Sequence, residues 1–376
     1  MNKKILIALT AIVFVAVIVS IIQDRQPENI IRIGAILPLS GDAAQYGKAA
    51  QKGIELAVEE VNKQEKLSGE KIKIIFEDTQ GNPKAGVTVV QKLILKDKII
   101  AVIGDLFSSV TLAVAPIVNR KEIVLLSPAS SSPEITKAGD YIFRNCPSDI
   151  YEGNIMSDYA YSHLKISKVG ILYVNNDYGI GIKTVFKKDF IIKSGQIIAE
   201  ESFEQNATDF RTQLLKINSQ HPEAIYLIGH KEMGLALKQS RELGITCQFL
   251  STVMFEDPKI LEIAGDAAEG VIYSASAFDV KSDKPSIRQF VDSYKNKYNV
   301  DPDIFSALSY DSVLILKKAL SDKSFSAREL KEALYAIKDY DGVMGLISFD
   351  SNGDVQISPV IKQVKNGKFV PINRKP

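Results

Sequence analysis

Histidine and cysteine are scarce in this chain, and that scarcity removes whole classes of chemistry. Three histidines, His163, His221 and His230, are widely spaced along 376 residues, and the two cysteines, Cys146 and Cys247, lie far apart. No grouping has metal-ligand spacing, so no metal is expected. A chain of this length can build its core without a staple, and both cysteines are expected to remain thiols. Charge of one sign is also missing. A formal net charge of +1 gives no electrostatic case for nucleic acid. No serine sits in a G-x-S-x-G elbow. Gly47-Lys48 and Gly229-His230-Lys231 lack the flanking pattern of a P-loop. The first apolar run ends in Leu37-Pro38-Leu39-Ser40-Gly41 rather than a dinucleotide fingerprint, and Gly179-Ile180-Gly181 reads as a tight helix entry. These absences predict a non-enzyme with no catalytic residue, metal or cofactor.

What is present is ordinary globular material, 45% hydrophobic and 24% charged, with a length that suits two domains. The exception is the N-terminus. Lys3-Lys4 precede an apolar stretch over residues 5–22, broken only by Thr10 and Ser20 and closed by Gln23-Asp24-Arg25. A basic start and an apolar centre predict an export signal over residues 1–28. The stretch nearly spans a bilayer, so two readings stand: a cleaved signal, or an uncleaved anchor with its lysines on the cytoplasmic side. Both place the chain from about residue 29 onward outside the cytoplasmic membrane.

From there, short apolar runs alternate with amphipathic ones. Strands are expected at residues 30–37, 71–77, 99–104 and 123–127, with helices after each of the first three. A second cycle follows, with strands at 168–174, 196–203, 224–228, 248–251 and 271–274 and helices between most of them. Short connections and continuous apolar strands argue for parallel sheets covered on both faces. The tail breaks the alternation with helices at 285–298, 305–320 and 327–337, then short strands at 346–350, 358–364 and 369–372. The orphan helices are expected to return to the first sheet and the closing strands to the second. The fold class is therefore α/β, with two Rossmann-like lobes. The first lobe takes residues 29–148 and 277–346, the second residues 149–276 and 347–376.

Ligands of open parallel sheets bind outside the carboxyl ends of the strands. Residues 104–111, Gly-Asp-Leu-Phe-Ser-Ser-Val-Thr, carry a strand end into a helix. Ser108 or Ser109 is expected to cap that helix, whose free N–H groups and dipole favour an anion such as a carboxylate. Other strand ends present Tyr46, Ala129, Ser130 and Ser131 in the first unit. The second presents Tyr178, His230, Val253 and Glu256. This collection suits an anionic or zwitterionic small molecule held between two lobes.

Several of these segments, taken in order, resemble the type I periplasmic binding proteins of the leucine/isoleucine/valine-binding kind. They are Ile33-Gly34 to Leu39-Ser40-Gly41, Tyr46-Gly47, Glu77-Asp78 with Pro83-Lys84, and Val102-Ile103-Gly104 with Ser108-Ser109. Ser127-Pro128-Ala129-Ser130-Ser131, Asn176-Asp177-Tyr178-Gly179, Ala264-Gly265-Asp266 and Tyr310-Asp311 continue the series. The resemblance implies two lobes joined by a three-stranded hinge that close on a ligand and deliver it to the permease of an ABC importer. It places the crossings near 148–149, 275–278 and 346–349. It implies a monomer that binds an amino acid, an amide-type compound or a related carboxylate. Ser108 matches the serine that holds the carboxylate. Ala129 and Ser131 match positions that meet the α-amino group, Tyr46 an aromatic lid and Tyr178 an aromatic of the second lobe. Three matches fail. Val253, with Glu256 three residues on, stands where an acid for the ammonium is expected. His230 stands where a tyrosine is expected, and Gln80 and Phe107 stand where the leucine binder pairs cysteines. A buried ammonium without its acid costs several kcal/mol, so either the acid has moved or the ligand lacks that group. The same fold also serves ligand-sensing ectodomains and accessory receptors of signalling systems, which is the second reading.

Overall fold

The computed structural model describes residues 29–63, 70–320, 326–357 and 359–372. The export or anchor segment expected over residues 1–28 lies outside them. No helix among the described residues is long and apolar enough to cross a membrane.

The first sheet is all parallel, in the order β2-β1-β3-β4-β5. Its strands are β1 (Asn29–Leu37), β2 (Glu70–Asp78), β3 (Ala101–Gly104), β4 (Val124–Ser127) and β5 (Ile142–Arg144). Every residue of β3, β4 and β5 is buried, as expected of strands covered on both faces. The connecting helices are α1 (Ala44–Lys63), α2 (Pro83–Lys92) and α3 (Ser108–Arg120). On α1, Tyr46, Ala50, Gly53, Ile54, Ala57 and Val61 recur at helical spacing and form the buried face.

The second unit runs α4 (Asp149–Asp158), β6 (Lys168–Val174), α5 (Asp177–Ile192), β7 (Gln196–Phe203), α6 (Arg211–Asn218) and β8 (Ala224–Ile228). It continues with α7 (Glu232–Glu242), β9 (Gln248–Ser251), α8 (Pro258–Ala264) and β10 (Ile272–Ala275). Then come α9 (Pro285–Tyr298), α10 (Ile304–Leu320), α11 (Ala327–Ala336), β11 (Tyr340–Gly342), β12 (Gly345–Ile347), β13 (Val360–Lys365) and β14 (Lys368–Pro371). The second sheet has the order β14-β13-β10-β9-β8-β6-β7, antiparallel only where β13 joins β10 and β14.

Apolar side chains divide into two cores. Helices α9, α10 and α11 bury Phe290, Val313, Leu316 and Leu334 in the first core, as their lack of strands suggested. Helix α10 lies so close to α1 that a Cβ on Gly53 would sit 2.1 Å from the Ser306 carbonyl oxygen. The closing strands divide differently from expectation. β11 and β12 pair with each other, and Ile347, Phe349 and Val355 pack in the first core, whereas Ile361 and Val364 pack in the second. The third crossing therefore falls at 357–360 rather than 346–349. The reason is apolar: Phe349 packs edge-on against Phe143 with ring centroids 5.4 Å apart, holding the chain on the first core for ten further residues.

Arg144, fully buried at the end of β5, anchors this region. Its guanidinium grips Asp354 through two bonds of 2.7 Å, and also donates to the carbonyls of Ser131 and Ser132 and to the Thr136 hydroxyl. Removing one partner of a buried, hydrogen-bonded pair strands the other charge. Asp354→Ala should therefore lower unfolding stability by ~3–5 kcal/mol, read as an earlier urea midpoint at unchanged slope.

Candidate functional site

The order of each sheet reverses once among its parallel strands, between β1 and β3 in the first and between β6 and β8 in the second. Loops at such reversals part to either side and leave a crevice. In the first lobe these loops deliver Tyr46 and Ser108, and in the second Tyr178 and His230. All four side chains meet in one small pocket of about 30 Å³, which Leu106, Phe107, Ala129, Ser131, Met254 and Phe305 complete. The lobes touch here: the Phe107 and His230 rings meet edge-on at 5.3 Å, and the Tyr46 hydroxyl lies 3.3 Å from Asp257 Oδ2.

The loop after β3 is built around Gly104, whose φ is +118° and whose Cβ, were there one, would lie 2.0 Å from the Ile36 carbonyl oxygen. Only glycine fits there. Asp105 then turns inward. Its carboxyl accepts the Phe107 N–H at 2.8 Å and the Thr79 hydroxyl, and burial pushes it up to about 7. The expected serine cap is not there. Phe107 is the capping residue of α3 and Ser108 its first helical residue; no side chain caps the first turn, and Asp105 takes the Phe107 N–H just ahead of it. Ser108 is buried against the pocket, and its hydroxyl accepts the Ser132 N–H at 3.2 Å.

Not every expected residue reaches the wall. Ser109 lies on α3 outside the lining. Ser130 is fully buried behind it. Its hydroxyl pairs with Thr111 at 2.7 Å and with the Asp105 carbonyl oxygen at 3.0 Å, so it braces the loop. Ala129 and Ser131 do line the pocket, and Arg144 holds the Ser131 carbonyl at 2.9 Å. Tyr178 donates to Thr252 at 2.8 Å and stacks on His230 with centroids 5.4 Å apart. Both His230 ring nitrogens are buried without a partner, and burial pushes the imidazole below its ordinary range. A neutral His230 has one N–H to donate into the pocket.

The small pocket adjoins a chamber of about 260 Å³, and the two share Tyr46, Ala129, Ser131, Met254 and Phe305 in their walls. Val253 and Glu256 line it, but neither offers a free acid. Glu256 is paired with Lys362, and Val253 contributes its N–H, which donates to Glu152 Oε1 at 2.6 Å. Glu152 is the residue that sequence reasoning missed. It lies on the first turn of α4, one turn from Asp149, and both carboxyls are buried. Acids are common in a first helical turn, so its only sequence signal was the acid missing from Val253. Ser274 also donates to Glu152 Oε1. Burial raises the carboxyl from 4.5 to about 7, against the lowering effect of those two bonds. Burial, reinforced by Glu152, holds Asp149 well above the carboxylate range. Cys146 lines the same chamber as a free thiol that burial pushes up to about 12; Cys247 is also free. No group of three or more His, Cys, Asp or Glu among the described residues could hold a metal ion.

The raised carboxyl has a consequence for stability. Folded Glu152 keeps its proton between about 4.5 and about 7, where the unfolded chain has released it, so its contribution to stability falls as pH rises through that window. Glu152→Gln removes the term. In the ligand-free protein its melting temperature relative to wild type should climb between pH 5 and pH 8, as thermal denaturation at several pH values would show. A constant difference would contradict the raised carboxyl.

The model of the periplasmic binding protein family matches residues 30–367. The Leu/Ile/Val-binding protein homolog 1 of Brucella abortus is 28% identical over 330 residues, covering 86% of this chain and 87% of that one. The leucine-, isoleucine-, valine-, threonine- and alanine-binding protein of Pseudomonas aeruginosa is also 28% identical, covering 87% of each. Among solved structures, the leucine-binding protein LivK of Thermotoga maritima superposes with a TM-score of 0.84 at 30% identity. LivJ of Streptococcus pneumoniae, in complex with isoleucine, gives 0.83 at 30%. Each comparison covers 91% of this chain and 98% of that structure. Both supply the two-lobed type I architecture derived above, and the family model spans nearly all the described residues: the chain belongs to the periplasmic binding protein family, a family of solute-binding receptors rather than enzymes.

Proposed function

We propose that this chain is the extracytoplasmic receptor of an ABC importer and that it binds a small carboxylate, an amino acid above all, by closing its two lobes. One observation carries this reading. Ser108, at the uncapped start of α3, and His230, whose ring nitrogens have no partner, line the same buried pocket, to which both sheet reversals contribute. The first N–H groups of a helix lack intrahelical acceptors, and the dipole favours negative charge at that end. A carboxylate entering there would take the Ser108 hydroxyl and the His230 N–H from opposite lobes, and contacts to both lobes favour the closed arrangement over an open one. Tyr46 and Phe305, with rings 4.9 Å apart, would cover its apolar part, and Ala129 and Ser131 would meet its polar neighbour. The names of the relatives support amino acids as the class. The apolar stretch at residues 5–22 supports export, with delivery to the permease outside the membrane.

A thermal-shift screen over amino acids, amides and small carboxylates should find a compound that raises the melting temperature in a concentration-dependent way. Ser108→Ala should then weaken that compound by ~1–3 kcal/mol in calorimetric titration, the worth of a hydrogen bond to a charged group. Unchanged affinity would remove Ser108 from the carboxylate site.

A further inference from the structure

The chamber beyond the small pocket has an uneven charge inventory. Four carboxyl groups line it, from Glu152, Glu256, Asp257 and Asp303, and no lysine, arginine or histidine does so among the described residues. Three of the four are engaged. Lys362 pairs with Glu256, Asp257 takes the Tyr46 hydroxyl and the Gln45 and Lys259 N–H groups, and Asp303 takes the Ser306 N–H. Glu152 differs. Val253 and Ser274 both donate to the same oxygen, Oε1, and among the described residues none donates to Oε2. Only 4% of the residue is exposed, and it lines the chamber near Ser131. Behind it, both oxygens of Asp149 are sealed from solvent with no partner in hydrogen-bonding geometry, and the Asp149 N–H is tied to the Ser131 carbonyl at 2.8 Å. The Arg144 charge acts on Asp149, whereas no cation among the described residues acts on Glu152; a buried carboxylate with no counter-charge is costly, and a cation arriving beside it relieves that cost.

We propose that Glu152 receives the ligand's ammonium group, so that the chamber accepts an amino-bearing carboxylate and rejects the same skeleton without its nitrogen. This rests on the carboxylate reading of the small pocket. A carboxylate at Ser108 and an ammonium at Glu152 set the two charges of a zwitterion on either side of Ala129 and Ser131, the residues shared by pocket and chamber. The remaining wall, from Met254, Ile304, Phe305, Leu308 and Met344, is apolar and suits a hydrocarbon side chain. The acid thus comes from the helix that follows the first crossing, and the Val253 backbone orients it.

The test is calorimetric titration of the full chain with two amino acids of different size and their deaminated partners: L-leucine with 4-methylpentanoate, and L-phenylalanine with 3-phenylpropanoate. A site built around an N–H donor rejects the analogue that lacks it, so the better amino acid should bind at least about a hundredfold more tightly than its partner. Glu152→Gln keeps an acceptor for Val253 and Ser274 but turns an amide NH2 toward the ammonium. It should weaken the amino acid at least about tenfold and shrink the gap to its deaminated partner. Equal binding of amino acid and partner to the wild-type protein would overturn the role of Glu152 while leaving the carboxylate pocket standing. So would an undiminished gap in Glu152→Gln. Absence of binding by all four compounds would instead overturn the amino-acid reading itself. The wild-type comparison needs no variant, so the proposal stays testable if Glu152→Gln fails to fold.

Discussion

The cleft depends on a guanidinium buried at its back. Arg144 leaves β5 at the point where the chain departs for the second lobe, and Asp354 approaches just before the chain departs for the last time. Their bidentate pair ties two of the three crossings together, and the remaining donors of Arg144 hold the carbonyls of Ser131 and Ser132. A planar fork is needed for that set of bonds, since a lysine would present a point charge without the fixed directions. Through it the Ala129–Ser131 wall, the start of α4 and the third crossing share one rigid support. Glu152, one turn into α4, is placed by the same support, because the Asp149 N–H is bonded to the Ser131 carbonyl.

From that support the division of labour in the cleft follows. Donors without acceptors gather at one end, from the first turn of α3, Ser108 and His230. An acceptor without a donor stands at the other, in Glu152 Oε2. Each half would be unfavourable alone, since buried polar groups without partners cost free energy. On the proposed reading the two halves would together complement a zwitterion, with apolar walls between that carry no charge preference. Other buried side-chain atoms without partners, such as the Tyr226 and Tyr273 hydroxyls and Ser309 Oγ, lie elsewhere in the interior and line neither cavity. Asp105 and Asp311, both buried acids, each accept backbone N–H groups.

Much of this could be read from the residues, and what could not has a physical reason. Strands β6, β8 and β9 fall on the residues that their apolar runs marked, because a mostly buried strand leaves little room for ambiguity, and the half-buried edge strand β7 falls on its expected residues too. β5 has three residues and α8 seven, too short for any periodicity to register, and both went unread. Neither Ser108 nor Ser109 caps α3, because the helix begins right after Phe107 and the Asp105 carboxylate takes the Phe107 N–H instead of a first-turn one. Ser130 and Ser131 are chemically alike and adjacent. Only the tertiary bonds of Ser130 to Thr111 and Asp105 decide which one faces the cleft. Glu152 meets Val253 across a hundred residues of chain, so no local pattern could connect them. The third crossing was set too early because Phe349 prefers the aromatic surface of Phe143, a contact that only the folded first core creates.

The central claim is that two lobes close on a ligand between them. Small-angle X-ray scattering tests it directly, with and without saturating L-leucine or whichever amino acid the stability screen selects. Closure predicts a smaller radius of gyration and a changed curve at low angle when ligand is bound. Superimposable curves at saturation, with binding verified in the same sample, would contradict the account.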